Sequence, residues 1–264
     1  ARVRGGRATA LRLERPRSQE RALAAVPLER LAEEAQRRVE EAPGLDYSDA
    51  MVQSLLHWFR HDFFTWADGA ECPRCRKVTK KLVGGAQPTP EEARHLANRV
   101  EVYACEGCNS AVRFPRYNCP ERLLETRVGR CGEWANCFCL VLRALGFEAR
   151  WVLDWTDHVW AEVWSGALQR WVHCDPCEDA WDKPLLYEQG WGKKLNYVVA
   201  FSRLGSSDVT RRYTKDWAGT LGRRTLVEEG WLQEVLRRDT CDIRRTFPSD
   251  VQAMWEGRDA AEAA

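Results

Sequence analysis

Hydrophobic positions along the chain alternate between a helical period and a strand period, and the changes of period divide it. Leu28, Leu31, Ala35 and Val39 fall on one stripe of residues 27–41, which predicts an amphipathic helix closed by Pro43-Gly44. Residues 49–66 predict a second. From Cys131 onward, Trp134, Phe138, Leu142 and Leu145 recur at spacings of three and four, with Gly146 as the stop. The period then drops to two. In 158–164 (HVWAEVW) the even positions share one face, and in 171–175 (WVHCD) the odd positions do. Past Tyr213, the segments around 226–238 and 251–262 return to helical spacing. Pro248 and Ser249 separate them, and Ser249 suits an N-cap. No internal repeat is evident.

Length and composition bound what this pattern can build. At 264 residues and 44% hydrophobic content, the chain can bury a substantial globular core. A net charge of +1 gives no electrostatic case for nucleic acid as a partner. No run of 18 apolar residues occurs, so no transmembrane helix is expected. The opening ARVRGGRATALRLERPR is rich in arginine and reads as a disordered tail, with an arginine-rich transit peptide as the alternative. The 11 cysteines are an odd number, and no signal peptide opens the chain as given. Both point to a reducing compartment, which means a cytoplasmic location. Thirteen tryptophans suit a carbohydrate cleft, although tryptophan also serves in cores.

The candidate chemistry lies between Cys131 and Asp175. Cys131 sits where the helix begins, and the free N–H groups and positive dipole end there favour a thiolate. Gly129 and Gly132 allow a tight entry turn and leave the sulfur approachable. If the two strand-like runs form a hairpin around the four residues 165–168, Trp164 pairs with Gln169, Glu162 with Trp171, Trp160 with His173, and His158 with Asp175. Directly opposed side chains have Cβ atoms about 4.5–5.5 Å apart. Asp175 can then hold one ring nitrogen of His158 and leave the other for Cys131: a nucleophile, a base and an orienter. Taken singly, each residue has a plainer reading, the cysteine as a small core hydrophobe and the histidine as a satisfied strand residue.

A second constellation is Cys72-Pro-Arg-Cys75 with Cys105-Glu-Gly-Cys108, two C-x-x-C pairs separated by 29 residues. Four thiolates so spaced suit one tetrahedral Zn2+, and a closed shell makes that ion structural. Gly84-Gly85 and Pro88-Thr89-Pro90 read as a loop between the pairs. Disulfides and reduced structural cysteines are the alternatives. The chain thus divides into an arginine-rich tail and helix (1–45), a helix leading into the core (46–70), a zinc-binding lobe (71–118), a catalytic core (119–215) and a helical C-terminal segment (216–264).

The segments GRCGEWANCF, DHVWAEVW and RWVHCDPCE resemble the core of the cytoplasmic peptide:N-glycanases of the transglutaminase-like superfamily. The likeness runs from about Leu55 to Tyr213. It takes in LLHWFRHDFFTW and the two C-x-x-C pairs, then NYVVAFS and DVTRRYT. It implies an α+β fold, a transglutaminase-like or papain-like core with an antiparallel sheet, a zinc-binding lobe and flanking helices. Residue by residue it implies Cys131 as nucleophile, His158 as base and Asp175 as orienter. The indole N–H of Trp58 is an oxyanion candidate by likeness to the upstream tryptophan of transglutaminases, with a core aromatic as the other reading. Glu162, Trp171 and Glu178 are implied to contact the proximal N-acetylglucosamines, against the plainer reading of the two glutamates as solvated carboxylates.

The activity implied is hydrolysis of the amide joining an N-linked glycan to asparagine, giving aspartate and a glycosylamine, in glycoprotein quality control and degradation. The implied substrates are misfolded glycoproteins with high-mannose glycans. The implied partners are ubiquitin-like proteasome-shuttle proteins, for which the arginine-bearing terminal helices are candidate surfaces. Neither the N-terminal adaptor-binding domain nor the C-terminal mannose-binding domain of animal members has a clear match. A transglutaminase or cysteine protease with the same triad, and a non-catalytic partner-binding module, are the alternative functions.

Overall fold

A computed structural model of the chain describes residues 1–263. Three helices open it: α1 (Arg2–Arg12), α2 (Pro16–Ala25) and α3 (Leu28–Glu41). The disordered tail expected here is corrected. Gly6, Thr9 and Ala10 of α1 are buried, and a Cβ on Gly6 would collide with the ring of Phe201. The arginines that suggested disorder instead anchor the helix. Arg7 pairs with Asp239 at 2.7 Å, and Arg2 lies 5.0 Å from the centre of the Trp155 ring.

Helix α4 (Tyr47–Trp58) starts at Asp46, whose carboxylate accepts the backbone N–H of Ser48 and of Asp49. The helix then widens into a π-helical turn over Phe59–Phe63. Strand β1 (Thr65–Trp66) follows. A lobe is built next from β2 (Ala70–Glu71), β3 (Val78–Thr79), β4 (Leu82–Ala86), α5 (Pro90–Arg94), β5 (Val100–Ala104) and β6 (Ala111–Pro115). Its larger sheet runs β4-β5-β6. Helix α6 (Pro120–Thr126) and strand β7 (Val128–Gly129) lead into α7 (Cys131–Ala144). Strand β7 pairs in parallel with β1, so the end of the α4 segment is hydrogen-bonded to the residues just before Cys131.

The main sheet follows: β8 (Ala149–Asp154), β9 (His158–Ser165), β10 (Arg170–Asp175), β11 (Ala180–Trp181), β12 (Val198–Ser202) and β13 (Gly205–Asp208). It is antiparallel throughout, in the order β11-β10-β9-β8-β12-β13. A π-helical turn over Leu186–Gly190 lies between β11 and β12, and a 3-10 turn over Thr210–Tyr213 follows β13. Helices α8 (Trp217–Gly222), α9 (Glu229–Arg244) and α10 (Ser249–Ala263) complete the chain.

Helix α7 is buried from Glu133 to Leu142 on all sides, not along one stripe alone. It rests on β8 and β9, and α2 and α6 cover its outer face. That face explains the order at the N-terminus, since without α2 the apolar back of α7 would meet water. Across the sheet's other face, Val152, Trp160, Tyr187, Val198, Ala200 and Tyr213 form a second core. The α+β, transglutaminase-like arrangement expected from the sequence is the one observed. Among the described residues no helix is long and apolar enough to cross a membrane.

Candidate active site and metal centre

The hairpin of β9 and β10 forms with a register two residues away from the expected one. Ser165 pairs with Arg170, Trp164 with Trp171, and Glu162 with His173, so the loop is 166–169 and Gln169 takes a positive φ of 51°. A shift of two keeps every side chain on its expected face. Asp175 is therefore diagonal to His158, not directly opposite, and the histidine ring spans the offset. His158 Nε2 lies 2.7 Å from Asp175 Oδ2.

Asp175 is fully buried and its oxygens are saturated. Oδ2 also accepts the Tyr187 hydroxyl at 2.7 Å, and Oδ1 accepts the backbone N–H of Cys177 at 2.8 Å. Burial alone would raise the carboxyl pKa. The hydrogen bond and charge of His158, with the hydrogen bond of Tyr187, outweigh it and hold the group ionised. The effect on His158 is the mirror image. Burial opposes its charge, but the hydrogen bond to Asp175 and the neighbouring Cys131 sulfur raise its pKa to about 9. With Nε2 committed to Asp175, Nδ1 is the nitrogen left for the thiol.

Tyr187 was not singled out from the sequence. Its hydroxyl donates to Asp175 and lies 2.7 Å from His173 Nε2, while His173 Nδ1 faces the backbone N–H of Lys183 at 3.3 Å. Nδ1 thus accepts and Nε2–H donates, the neutral tautomer. Burial lowers the His173 pKa to about 4, which keeps it neutral. The only signal in sequence was alternation that put His173 on the reactive face.

Cys131 is the first residue of α7 and is partly exposed. Glu133 folds back to accept the Arg130 backbone N–H at 3.0 Å, closing the helix entrance. A Cβ on Gly129 would collide with that glutamate, which explains the glycine. Nothing lies within contact of a Cβ on Gly132, the residue after Cys131. Trp58 ends α4 with its ring buried, 4.6 Å from the ring of Phe63. Among the described residues, the indole nitrogens enclosed without a partner belong to Trp151, Trp155 and Trp255, and Trp58 is not one of them.

The three expected sugar contacts separate. Glu178 is exposed, and its pKa is raised by partial burial and by the charge of Asp175 against the pull of His158 and Arg60. It stands near Asp175 and His158. Glu162 and Trp171 do not, and their expected sugar contacts are corrected. Glu162 has no exposed surface and is held by Arg150, by Arg212 at 2.5 Å and by the Tyr213 hydroxyl at 2.6 Å. Trp171 is 2% exposed, with the Arg150 guanidinium 4.0 Å from its ring centre and Trp255 of α10 beside it. These two side chains have no face to offer a ligand. The exposed aromatic at the site is Trp191, 44% accessible, with its ring centre 4.9 Å from that of His158.

The four lobe cysteines converge. Cys72, Cys75, Cys105 and Cys108 bring their sulfur atoms within 4.8 Å of one another. Each pair forms the same turn. The N–H of Arg76 meets Cys72 O at 2.8 Å and that of Asn109 meets Cys105 O at 2.8 Å, and both Arg76 and Asn109 have positive φ. Ser110 reaches Cys108 and Cys72 at 2.9 and 3.4 Å. Its hydroxyl, with the amides of Cys75 and Arg74, draws the Cys72 thiol down to about 6. Cys75 moves the other way: the Lys77 amide lowers it, but neighbouring thiols and burial push it up to about 11. Four sulfurs so crowded cannot all ionise without a cation between them. The cluster fits a structural metal ion with a closed shell.

One ion-pair network joins this lobe to the head of α7. Glu101 on β5 accepts from Arg130 at 2.9 and 2.8 Å, from Arg116 at 3.0 Å and from Tyr103 at 2.6 Å. Arg116 in turn grips Glu133 at 2.6 and 2.8 Å.

Comparison with known proteins follows the same outline. A profile for the transglutaminase-like superfamily matches residues 76–176, and one for the Rad4 transglutaminase-like domain matches residues 155–264. Curated relatives are named peptide-N(4)-(N-acetyl-beta-glucosaminyl)asparagine amidase. The protein of Gallus gallus is 52% identical over 83% of this chain and 34% of its own length. That of Homo sapiens is 48% identical over 84% and 35%. That of Yarrowia lipolytica is 42% identical over 92% and 69%. The chain thus spans about a third of the length of the animal relatives. Among solved structures, Rad4-Rad23 bound to a 6-4 photoproduct UV lesion is similar with a TM-score of 0.56 at 15% identity, over 98% of this chain and 57% of that one. That likeness is one of fold.

Two outcomes are expected from this geometry. Tyr187→Phe strands the buried His173 N–H and removes a donor from Asp175, so denaturant unfolding should show a loss of about 1–3 kcal/mol. Stability equal to wild type would mean that the hydroxyl carries no such burden. Chelation of metal from the four-cysteine site should lower the melting temperature and speed hydrogen exchange at Cys131–Glu133 through the Glu101 network. Identical melting after verified metal loss would remove the structural role.

Proposed function

The chain belongs to the peptide-N(4)-(N-acetyl-beta-glucosaminyl)asparagine amidase family, and from that premise we propose that it hydrolyses the amide between N-linked glycans and asparagine side chains. The observation that carries this reading is the partly exposed Cys131 at a helix N-terminus beside an imidazole held 2.7 Å from a buried carboxylate. The Cys131 thiolate attacks the side-chain carbonyl carbon. Charge on the carbonyl oxygen is met by the Cys131 backbone N–H and the Trp58 indole N–H. The His158 imidazolium gives its proton to the leaving glycosylamine nitrogen as the C–N bond breaks, leaving a thioester. Water, losing a proton to His158, then cleaves the thioester to aspartate and restores the thiol. The glycosylamine decays to free sugar and ammonia. Asp175 holds the ring and keeps its charge throughout.

Substrate contacts in this proposal fall to Glu178 and Trp191, which flank His158 from the solvent side. High-mannose glycoproteins that have misfolded are the proposed substrates, because the asparagine carbonyl must reach a cleft floor. The ion at the four cysteines is assigned as Zn2+ from its all-sulfur donor set, with no part in the reaction. Eleven free cysteines support a reducing, cytoplasmic setting and a place in glycoprotein degradation.

The solved neighbours hold Rad4 with Rad23, which supports a protein partner for the terminal helices here. We assign it to the ubiquitin-like shuttle class. A cavity of about 560 Å³ lined by Val3, Trp155, Leu226, Val227 and Trp231 offers the apolar surface.

The test is incubation with a denatured N-glycoprotein, reading free glycan and conversion of asparagine to aspartate by mass. Cys131→Ala should retain the fold and lose roughly four or more orders of magnitude in turnover. Comparable turnover by that variant would refute the nucleophile, and a folded, metal-loaded wild type that releases nothing would refute the activity.

The pH dependence follows from His158. Its folded pKa of about 9 stands above the ordinary 6.5. Its stabilising contribution is therefore complete below pH 6.5 and is lost as pH rises through 9. The proton needed by the leaving nitrogen is lost over the same upper range. Glycan release should fall with an alkaline limb near pH 9, and a limb near pH 7 would contradict the ion pair.

A further inference from the structure

Among the described residues, outside Cys131, His158 and Asp175 and the four-cysteine cluster, one further set of ligand-type side chains converges: His57, His61 and Asp179. His57 Nδ1 lies 2.8 Å and His61 Nε2 3.2 Å from the same oxygen, Asp179 Oδ2, and the two imidazole centres are 4.3 Å apart. All three ligand atoms are within 4.8 Å of one another.

The backbone builds this convergence. His57 is in the last α-helical turn of α4 and His61 in the π-helical turn that follows. The wider π turn brings residues four apart closer to register than an α-helix does, so both rings lean to one side. Asp179 lies between β10 and β11 with φ of 49°, a left-handed conformation uncommon for a residue with a side chain. It is one of the positions that turn the chain after Asp175. The three side chains are 48%, 50% and 29% exposed, so water reaches the point where they meet.

We propose that His57, His61 and Asp179 form a second metal site, for a divalent transition ion of the Zn2+, Ni2+ or Cu2+ type. The donor set decides the class. Two neutral imidazole nitrogens and one carboxylate oxygen match borderline ions and are a poor set for Ca2+ or Mg2+, which need more oxygens. Ligand bonds of about 2.0–2.2 Å place donor atoms roughly 3–3.5 Å apart in a tetrahedral shell, close to the spacings already present. Hydrogen bonding alone is a poorer use of the arrangement. It would require both imidazoles to donate to a single carboxylate oxygen, each in one fixed tautomer, while half exposed to water.

The site differs in kind from the four-cysteine centre. It has three protein ligands and open positions, so the ion exchanges with solvent. Its location gives it a consequence. His57 precedes Trp58, and Asp179 follows Glu178. An ion here pins the turn bearing one proposed sugar contact to the helix end bearing one proposed oxyanion donor. The site itself rests on geometry alone and is independent of the amidase reading.

The test uses the full chain with its cysteine centre already metal-filled. Titration with ZnCl2, followed by calorimetry and by equilibrium dialysis, should reveal one further equivalent at micromolar Kd. The melting temperature should rise with added Zn2+ as mass action requires. His57→Ala and His61→Ala should each weaken this equivalent by about tenfold or more, and the double variant should lose both the equivalent and the thermal shift. Both histidines are half exposed, so each variant is expected to melt like wild type without added metal. Absence of a further equivalent overturns the proposal. So does its survival, unweakened, in the double variant, which would put the ion elsewhere.

Discussion

A carboxylate with no exposed surface must find all its donors inside the protein, and Asp175 finds them on three separate pieces of chain. Strand β9 supplies the His158 ring, the π turn at 186–190 supplies the Tyr187 hydroxyl, and the turn after β10 supplies the Cys177 backbone N–H. Leaving any one unmet costs the desolvation of a buried charged group. The sheet, the turn and the π-helical segment are therefore mutually fixed by one side chain. That same constraint fixes the His158 ring and holds its proton, so the demand that orders the fold also prepares the chemistry.

Cys131 is supported from the opposite side. Cys131 owes its position to the entry of α7, which is held by Arg130, Arg116 and Glu133 and, through Glu101, by a strand of the metal lobe. The lobe is small and its own apolar cluster consists largely of the cysteines and a few neighbours. A domain of that size needs a staple. An ion held by the four cysteines would thus brace a wall that carries the Cys131 thiol. The parallel pairing of β1 with β7 ties the Trp58 segment to the same entrance.

What could be read from the sequence was what depends on local periodicity. Helix α7, the two strands and the face shared by His158, Glu162, His173 and Asp175 all follow from spacing. The register did not, because several choices of four loop residues preserve face parity, and the observed one goes with a positive φ at Gln169 and with Ser165 bonded to Asp49 of α4. The burial of Glu162 and Trp171 was also out of reach. It depends on Arg150 from β8, Arg212 after β13 and α10 closing over them, with Glu262 accepting from Arg150 at 2.9 and 2.7 Å. Those residues meet across about 110 positions of chain, a distance no window of periodicity spans. Helices α1 and α2 were missed for a similar reason. Their composition resembles a solvated segment, and the surface that orders them belongs to α7 and β12.

One face of one hairpin therefore carries two buried carboxylates with opposite fates, and their partners explain the difference. Glu162 faces two guanidiniums, which do not lose their protons in a protein. Its charge is matched permanently, and it serves the packing of Trp171 and α10. Asp175 faces one imidazole and two neutral donors. In the proposed reaction its only cationic partner, His158, gives its proton to the leaving nitrogen and recovers one from water. On that proposal, proton transfer is confined to the end of the face where the counter-ion is titratable and the neighbouring surface, at Trp191 and Glu178, is open to solvent. The closed end supplies rigidity and the open end supplies reactivity, a division set by whether each carboxylate was given an arginine or a histidine.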